Sequence, residues 1–186
     1  MEFLLPIQTM DRQNVNSVHL SQIGSFGVER VARPRVAKHL HTGIDIQRPV
    51  QDYSKDQFIY PIAHGVVISK RTDGPFAQLI LEHEINGLVF WTVYEHIADI
   101  QVELFQKVGP KEPIARFFYG VELDKIGWQF DHFHFEVLKK RPTELKVNSK
   151  NPERLFNSYT LSCSDKDTLD QHFYNPLHFL EKMINK

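Results

Sequence analysis

Asp131-His132-Phe133-His134-Phe135-Glu136-Val137 is the stretch whose reading decides the fold. Side chains on a strand alternate between faces, so His132, His134 and Glu136 share one face while Phe133, Phe135 and Val137 share the other. The apolar face marks a strand packed on a core. The opposite face carries two imidazoles, and neutral imidazole is a standard zinc ligand that asks for further donors converging on the ion. Such donors stand upstream in His41-Thr42-Gly43-Ile44-Asp45, a histidine and a carboxylate four residues apart. Two histidines and one aspartate make a three-ligand site with one position left for water, which separates a catalytic zinc from a structural one. Each motif alone reads more readily as ordinary hydrogen-bonded side chains. Their combination points to metal.

A third element joins them. Val93-Tyr94-Glu95-His96-Ile97 ends an apolar run, Gly87 to Val93, that reads as a buried strand. His96 falls at the strand's end, where a side chain can leave the core for a cleft. Beside a metal it would polarise a carbonyl or stabilise an oxyanion.

HTGID, VYEHI and HFHFE, in that order, resemble the lysostaphin-type (LytM-like) zinc metallo-endopeptidases of bacterial cell walls. That family's pattern is an early H-x-x-x-D, a Tyr-x-His at a strand end and a late H-x-H. The flanks support the likeness. Tyr60 to Val67 resembles the family's turn and strand, Phe26-Gly27 with Arg30 approximates its opening segment, and Asn175 to Leu180 resembles its close. The match covers roughly residues 24–138 plus that closing segment. The resemblance implies that His41, Asp45 and His134 bind Zn2+ and that His96 and His132 form the catalytic pair. It implies a mainly β fold, an antiparallel sheet with an open groove (the LytM-like, duplicated hybrid-motif barrel-sandwich) and few short helices. The implied substrate is the peptide stems or cross-bridges of peptidoglycan, and the implied location is the cell envelope, periplasmic or secreted. Two other readings stand beside it: a catalytically silent LytM-like module that binds or regulates, and a zinc peptidase with a non-wall substrate.

The chemistry follows from the residue types. A three-ligand zinc lowers the pKa of bound water to about 7 and polarises a scissile carbonyl. The chain has no H-E-x-x-H, so the helix-borne glutamate base of the zincins is absent and histidine takes that role. The chain also departs from the family. Active members carry a Gly-rich G-x-T-G turn before H-x-H, whereas Phe117 to Phe130 has none, and Phe117, Phe118, Tyr119 and Trp128 are expected to reshape one wall of the groove. Asp131 reads as a strand-edge carboxylate or as a partner for an imidazole.

Composition bounds the rest. A chain of 186 residues, 41% hydrophobic with 14 Phe, makes one main globular domain. A net charge of −1 supplies no field toward nucleic acid or anionic lipid. No run approaches the roughly 20 apolar residues of a membrane span. Met1 to Ile7 is too short and acidic for a signal peptide, so the envelope location rests on the resemblance alone. A single Cys163 excludes an internal disulfide. The expected organisation is an arm over residues 1–23, a zinc-peptidase core over 24–138, a polar insertion over 139–170 and a closing helix within 171–186. The clearest strands are Val66–Ser69, Gln78–Glu82, Leu88–Tyr94 and His132–Leu138, with a hairpin signal at Asn86-Gly87. His19, His39, His64, His83, His172 and His178 read as structural or exposed.

Overall fold

The structure, a computed structural model, describes residues 2–158 and 160–185. Its strands are β1 (Glu29–Arg30), β2 (His39–Leu40), β3 (Ile44–Ile46), β4 (Phe58–Ile59), β5 (Gly65–Arg71), β6 (Gln78–Ile85), β7 (Leu88–Glu95), β8 (Lys107–Val108), β9 (Ala115–Arg116), β10 (Phe133–Leu138), β11 (Thr143–Glu144), β12 (Phe156–Asn157) and β13 (Phe173–Tyr174). Three short helices accompany them: α1 (Gly120–Ile126), α2 (Lys166–His172) and α3 (Pro176–Ile184). The main sheet has seven strands in the order β13-β10-β7-β6-β5-β8, with β3 also paired to β10. All its pairs are antiparallel. The fold is mainly β, as the alternating motifs require.

The β6–β7 hairpin is the register-setting element. Ile85 pairs with Leu88 across a two-residue turn. Asn86 (φ 52°) and Gly87 (φ 79°) both sit in the left-handed region. A type I′ turn demands that conformation twice, and Asn-Gly adopts it at the lowest steric cost. The sheet centre is covered on both faces. Leu79, Leu81, Tyr94, Phe133, Phe135 and Val137 enter one core cluster, and Ile80, Trp91, Val93, Leu138 and Phe173 enter another. This explains why β7 reads as a nearly continuous apolar run.

The first residues are extended and belong to the core. Phe3, Leu4, Leu5 and Ile7 are buried. The Leu4 N–H donates to the Ile62 carbonyl at 2.9 Å, and Ile7 bridges Ile59. The segment after β10 also carries structure. β11 pairs with β12, and the Ser69 hydroxyl of β5 accepts the N–H groups of Leu155 and Phe156 at 3.0 and 3.1 Å. Asp165 then caps α2 through the Thr168 N–H at 2.8 Å. The closing helix starts at Pro176, where a missing N–H costs nothing. The Asn175 side chain accepts from Leu177 N–H at 3.1 Å, and Phe179 and Leu180 pack on the core. No helix among the described residues is long and apolar enough to cross a membrane.

One core histidine gives the fold an acid limit. His83 is fully buried in β6, stacked on Phe90 at 4.6 Å. Its Nδ1–H donates to the His64 carbonyl and its Nε2 accepts from the Thr92 hydroxyl, both at 2.8 Å. Burial pushes its pKa down to about 4, against a hydrogen bond to the His64 carbonyl that raises it. Between about pH 6.5 and 4 the unfolded chain therefore binds the extra proton, and stability falls as the pH falls through that window. The contribution is full above pH 6.5 and amounts to about 3 kcal/mol. In His83→Leu, urea titrations across this window should show the pH slope of stability reduced by up to about 1.4 kcal/mol per pH unit. An unchanged slope would remove His83 as the source.

Candidate metal centre

Register brings the motifs together. Asp45 of β3 pairs directly with His134 of β10, and His134 pairs on its other side with Glu95 of β7. Cross-strand neighbours lie close enough for their side chains to meet. His41 arrives with the two residues before β3, held by its N–H to the Val28 carbonyl at 2.8 Å. His96 leaves the ladder just after Glu95 in a left-handed conformation (φ 61°), which turns its ring out of the strand. His132 lies one residue before β10 begins.

Gly43 makes this approach possible. A Cβ there would fall 2.3 Å from the Phe135 carbonyl oxygen and 2.9 Å from His134 Cε1. The first contact is with a backbone atom inside β10, which cannot yield. Gly43→Ala should therefore push the His41–Asp45 segment off β10, at about 3 kcal/mol, the upper end for overpacking. Zinc affinity and melting temperature should both drop. A variant with parent affinity would show that the segment tolerates displacement.

The resulting donor set is compact. His41 Nε2, Asp45 Oδ1 and His134 Nδ1 lie 3.0 Å from one another in all three pairings. All three residues are buried. The outer atoms are fixed as well. His41 Nδ1 meets the Ser25 carbonyl at 2.9 Å, and His134 Nε2 meets a Glu136 carboxylate oxygen at 3.0 Å. Both outer nitrogens must donate, so in neutral rings the inner nitrogens present lone pairs to the Asp45 oxygen. Three acceptors facing one another need a positive charge between them. Asp45 Oδ2 is held by Arg30 at 2.7 Å, and the Thr42 hydroxyl donates to Glu136.

The titration behaviour follows from these contacts. Burial holds His41 below its ordinary pKa, partly offset by Asp45. Burial opposes ionisation of Asp45, but the adjoining His134 and His41 rings keep it far below the usual carboxylate range. Burial also opposes protonation of His134, yet hydrogen bonds to Asp45 and Glu136 overcome it and hold the ring up at about 10. The two carboxylates thus favour a cation on the triangle beside Arg30, either a proton on His134 or a metal ion in its place. Zinc bonds of about 2.0–2.1 Å in tetrahedral geometry separate ligand atoms by about 3.3 Å. The observed triangle needs to open by only a few tenths of an ångström, so these residues fit zinc.

The other two histidines stand beside the triangle. His132 Nε2 is 3.7 Å from Asp45 Oδ1, and its ring meets that of His96 edge-on at 5.5 Å. Burial pushes the His132 pKa down to about 4, partly offset by Asp45, and burial lowers that of His96. His96 Nδ1–H donates to the Pro75 carbonyl at 2.6 Å, which leaves Nε2 as the ring's proton acceptor. Phe130 and Phe76 flank His96 at ring distances of 4.8 and 5.7 Å. A cavity of about 460 Å3, lined by Gly74, Ile97, Ala98, Phe118, Glu122 and Ile126, opens past Ile97.

Solved structures share this architecture. A chain of the SpoIIIAH and SpoIIQ complex aligns with 96% of this chain and 99% of its own, at 19% identity and a TM-score of 0.51. A zinc-containing peptidase from Vibrio cholerae aligns over 77% of this chain and 39% of its own, at 24% identity and a TM-score of 0.52. Lysostaphin aligns over 91% of this chain and 52% of its own, at 16% identity and a TM-score of 0.52. The chain adopts a lysostaphin-like fold. It spans about two fifths of the Vibrio peptidase chain and about half of the lysostaphin chain. No family model matches the sequence, and no curated protein matches it.

Within the lysostaphin-like fold, all five histidine and aspartate positions singled out in the sequence meet at one place. The loop before H-x-H differs from expectation in its parts. Phe117 is buried against Phe133, Phe118 packs with Leu123, and Trp128 projects beside Tyr53. Phe76 and Phe130 flank His96, and Phe118 lines the cavity past Ile97. Asp131 accepts from Arg48 and from the Tyr53 hydroxyl, both at 2.7 Å, and so anchors the approach to His132. Arg48 itself, which also donates to the Phe118 carbonyl at 2.6 Å, gave no sequence signal. Arg30 was visible only as part of the opening segment, and Glu136 only as the third residue on the histidine face.

Proposed function

We propose that the chain is a zinc-dependent endopeptidase that hydrolyses peptide stems or cross-bridges of peptidoglycan in the cell envelope. The observation that carries this reading is the donor triangle, with 3.0 Å on every side and both imidazoles oriented by partners outside it. His41, Asp45 and His134 would hold the ion. When bound there, zinc supplies Lewis acidity that activates water and polarises a carbonyl. The chain's own residues do the rest. His132, next to the triangle, positions the attacking water and accepts its proton. His96, fixed by Pro75, presents its Nε2 lone pair beside His132 and shares the acceptor role, and the proton taken from the water is returned from the protonated ring to the departing amine.

A second reading, a binding or regulatory module, is favoured by two observations. A chain from a two-protein complex matches this one nearly end to end, and Phe76 and Phe130 crowd His96. A third reading keeps the zinc peptidase but gives it a non-wall peptide. Digestion of purified peptidoglycan by the zinc-loaded chain, with mass spectrometry of the products and a parallel panel of soluble peptides, separates the three. New amine ends on peptidoglycan establish the endopeptidase and name its bond. Cleavage of soluble peptides alone selects the non-wall substrate. Intact substrates with one zinc bound per chain select the module.

A further inference from the structure

We propose that Glu136, backed by Thr42, is a positioning residue that sets how tightly the centre holds its metal, an inference that rests on the metal centre proposed above. Glu136 lies in the middle of β10, opposite Val93, and is completely buried. A carboxylate is costly in such a place unless hydrogen bonds hold it. Packing gives no reason for one, since its neighbours on that face, Val93 opposite it and Leu138 two residues on, are fully buried and apolar. Two residues from His134 on the same face, it accepts from His134 Nε2 at 3.0 Å and from the Thr42 hydroxyl at the same oxygen. It does not face the cavity, so its effect passes through the imidazole.

Three consequences follow from that geometry. The carboxylate keeps the proton on Nε2, which leaves the Nδ1 lone pair for the metal. It fixes the ring's rotation. Its negative charge makes the imidazole a stronger donor. Outer carboxylates of this kind change metal affinity by about 10–100-fold. Thr42 joins the parts, because the residue after ligand His41 supplies the hydroxyl that steadies the carboxylate behind ligand His134. The two ligand segments are thereby tied together behind the metal as well as through it.

The test is competition for Zn2+ between the chain and a chromophoric chelator, together with the visible spectrum of the Co2+-loaded chain. Glu136→Gln keeps the size and drops the charge; it should weaken zinc binding about 10–100-fold and shift the cobalt spectrum. Thr42→Val should weaken zinc binding about tenfold, and Thr42→Ser, which keeps the hydroxyl, should restore parent affinity. If Glu136→Gln fails to fold, the Thr42 pair carries the comparison. Affinity within twofold of the parent in Glu136→Gln, with an unchanged cobalt spectrum, overturns the role of Glu136. So does equal affinity in the two Thr42 variants. A parent chain that binds no zinc refutes the metal centre itself, and that measurement precedes any variant.

Discussion

His134→Ala is expected to release zinc while the chain stays folded. Four-donor zinc sites bind with about 10–16 kcal/mol, or about 2.5–4 kcal/mol per donor. Loss of one donor from three therefore weakens binding by on the order of a hundred- to a thousandfold. The remaining geometry makes the loss worse, because His134 also separates two carboxylates. Without it, Asp45 keeps Arg30 at 2.7 Å and His41 at 3.0 Å, and Glu136 keeps Thr42. Those partners prevent either carboxylate from standing alone, so the metal-free variant should lose about 3–5 kcal/mol of stability and still fold. Metal analysis after dialysis against micromolar zinc reads the first effect, and urea unfolding in chelator reads the second. His64→Ala, at an exposed histidine outside the site, serves as the control. One zinc per chain in His134→Ala removes the residue from the ligand set and dissolves the three-donor centre.

Much of this site was legible because its parts lie on short-range patterns. Period-two alternation over residues 133–137 sends Phe133, Phe135 and Val137 to the core and His134 and Glu136 to the opposite side, as read from the sequence. Asn86-Gly87 worked for the same reason: turn chemistry is decided by residues within three or four positions. What was not legible depends on partners far along the chain. Nothing in Phe3 to Ile7 announces Ile59 and Ile62 as its neighbours. α1 has seven residues and a tyrosine before it, too short for a periodic stripe; the Glu122 carboxylate accepts its Tyr119 N–H at 2.7 Å. The Arg30–Asp45 and Arg48–Asp131 pairs span 15 and 83 residues. The Phe76 and Phe130 rings meet over His96 only after β6, β7 and β10 have been laid side by side. Strand pairing creates such contacts, and a single sequence does not encode the pairing locally.

His96→Ala should keep one zinc per chain and lose turnover by about 10²–10⁴-fold, the range for a general acid or base. The side chain lies outside the donor triangle, so its removal leaves all three ligands and their outer partners in place. His96 already holds a left-handed conformation, so alanine, which carries the same Cβ, adds little backbone strain and the fold should be retained. His132→Ala should behave alike, because Nε2 at 3.7 Å from Asp45 Oδ1 places it next to the reaction centre and outside the ligand set. Single-turnover rates on the peptide that the peptidoglycan digest identifies, measured with zinc content in the same samples, would distinguish lost chemistry from lost metal. Loss of zinc in either variant would move that histidine into the ligand set. The double variant then carries the sharper information. Residues that act as one unit are grossly non-additive, so a double variant no slower than the worse single assigns both rings to one proton-transfer step. Losses that multiply assign the two rings to separate roles. The edge-on contact of the two rings at 5.5 Å, without a hydrogen bond between them, favours that second outcome.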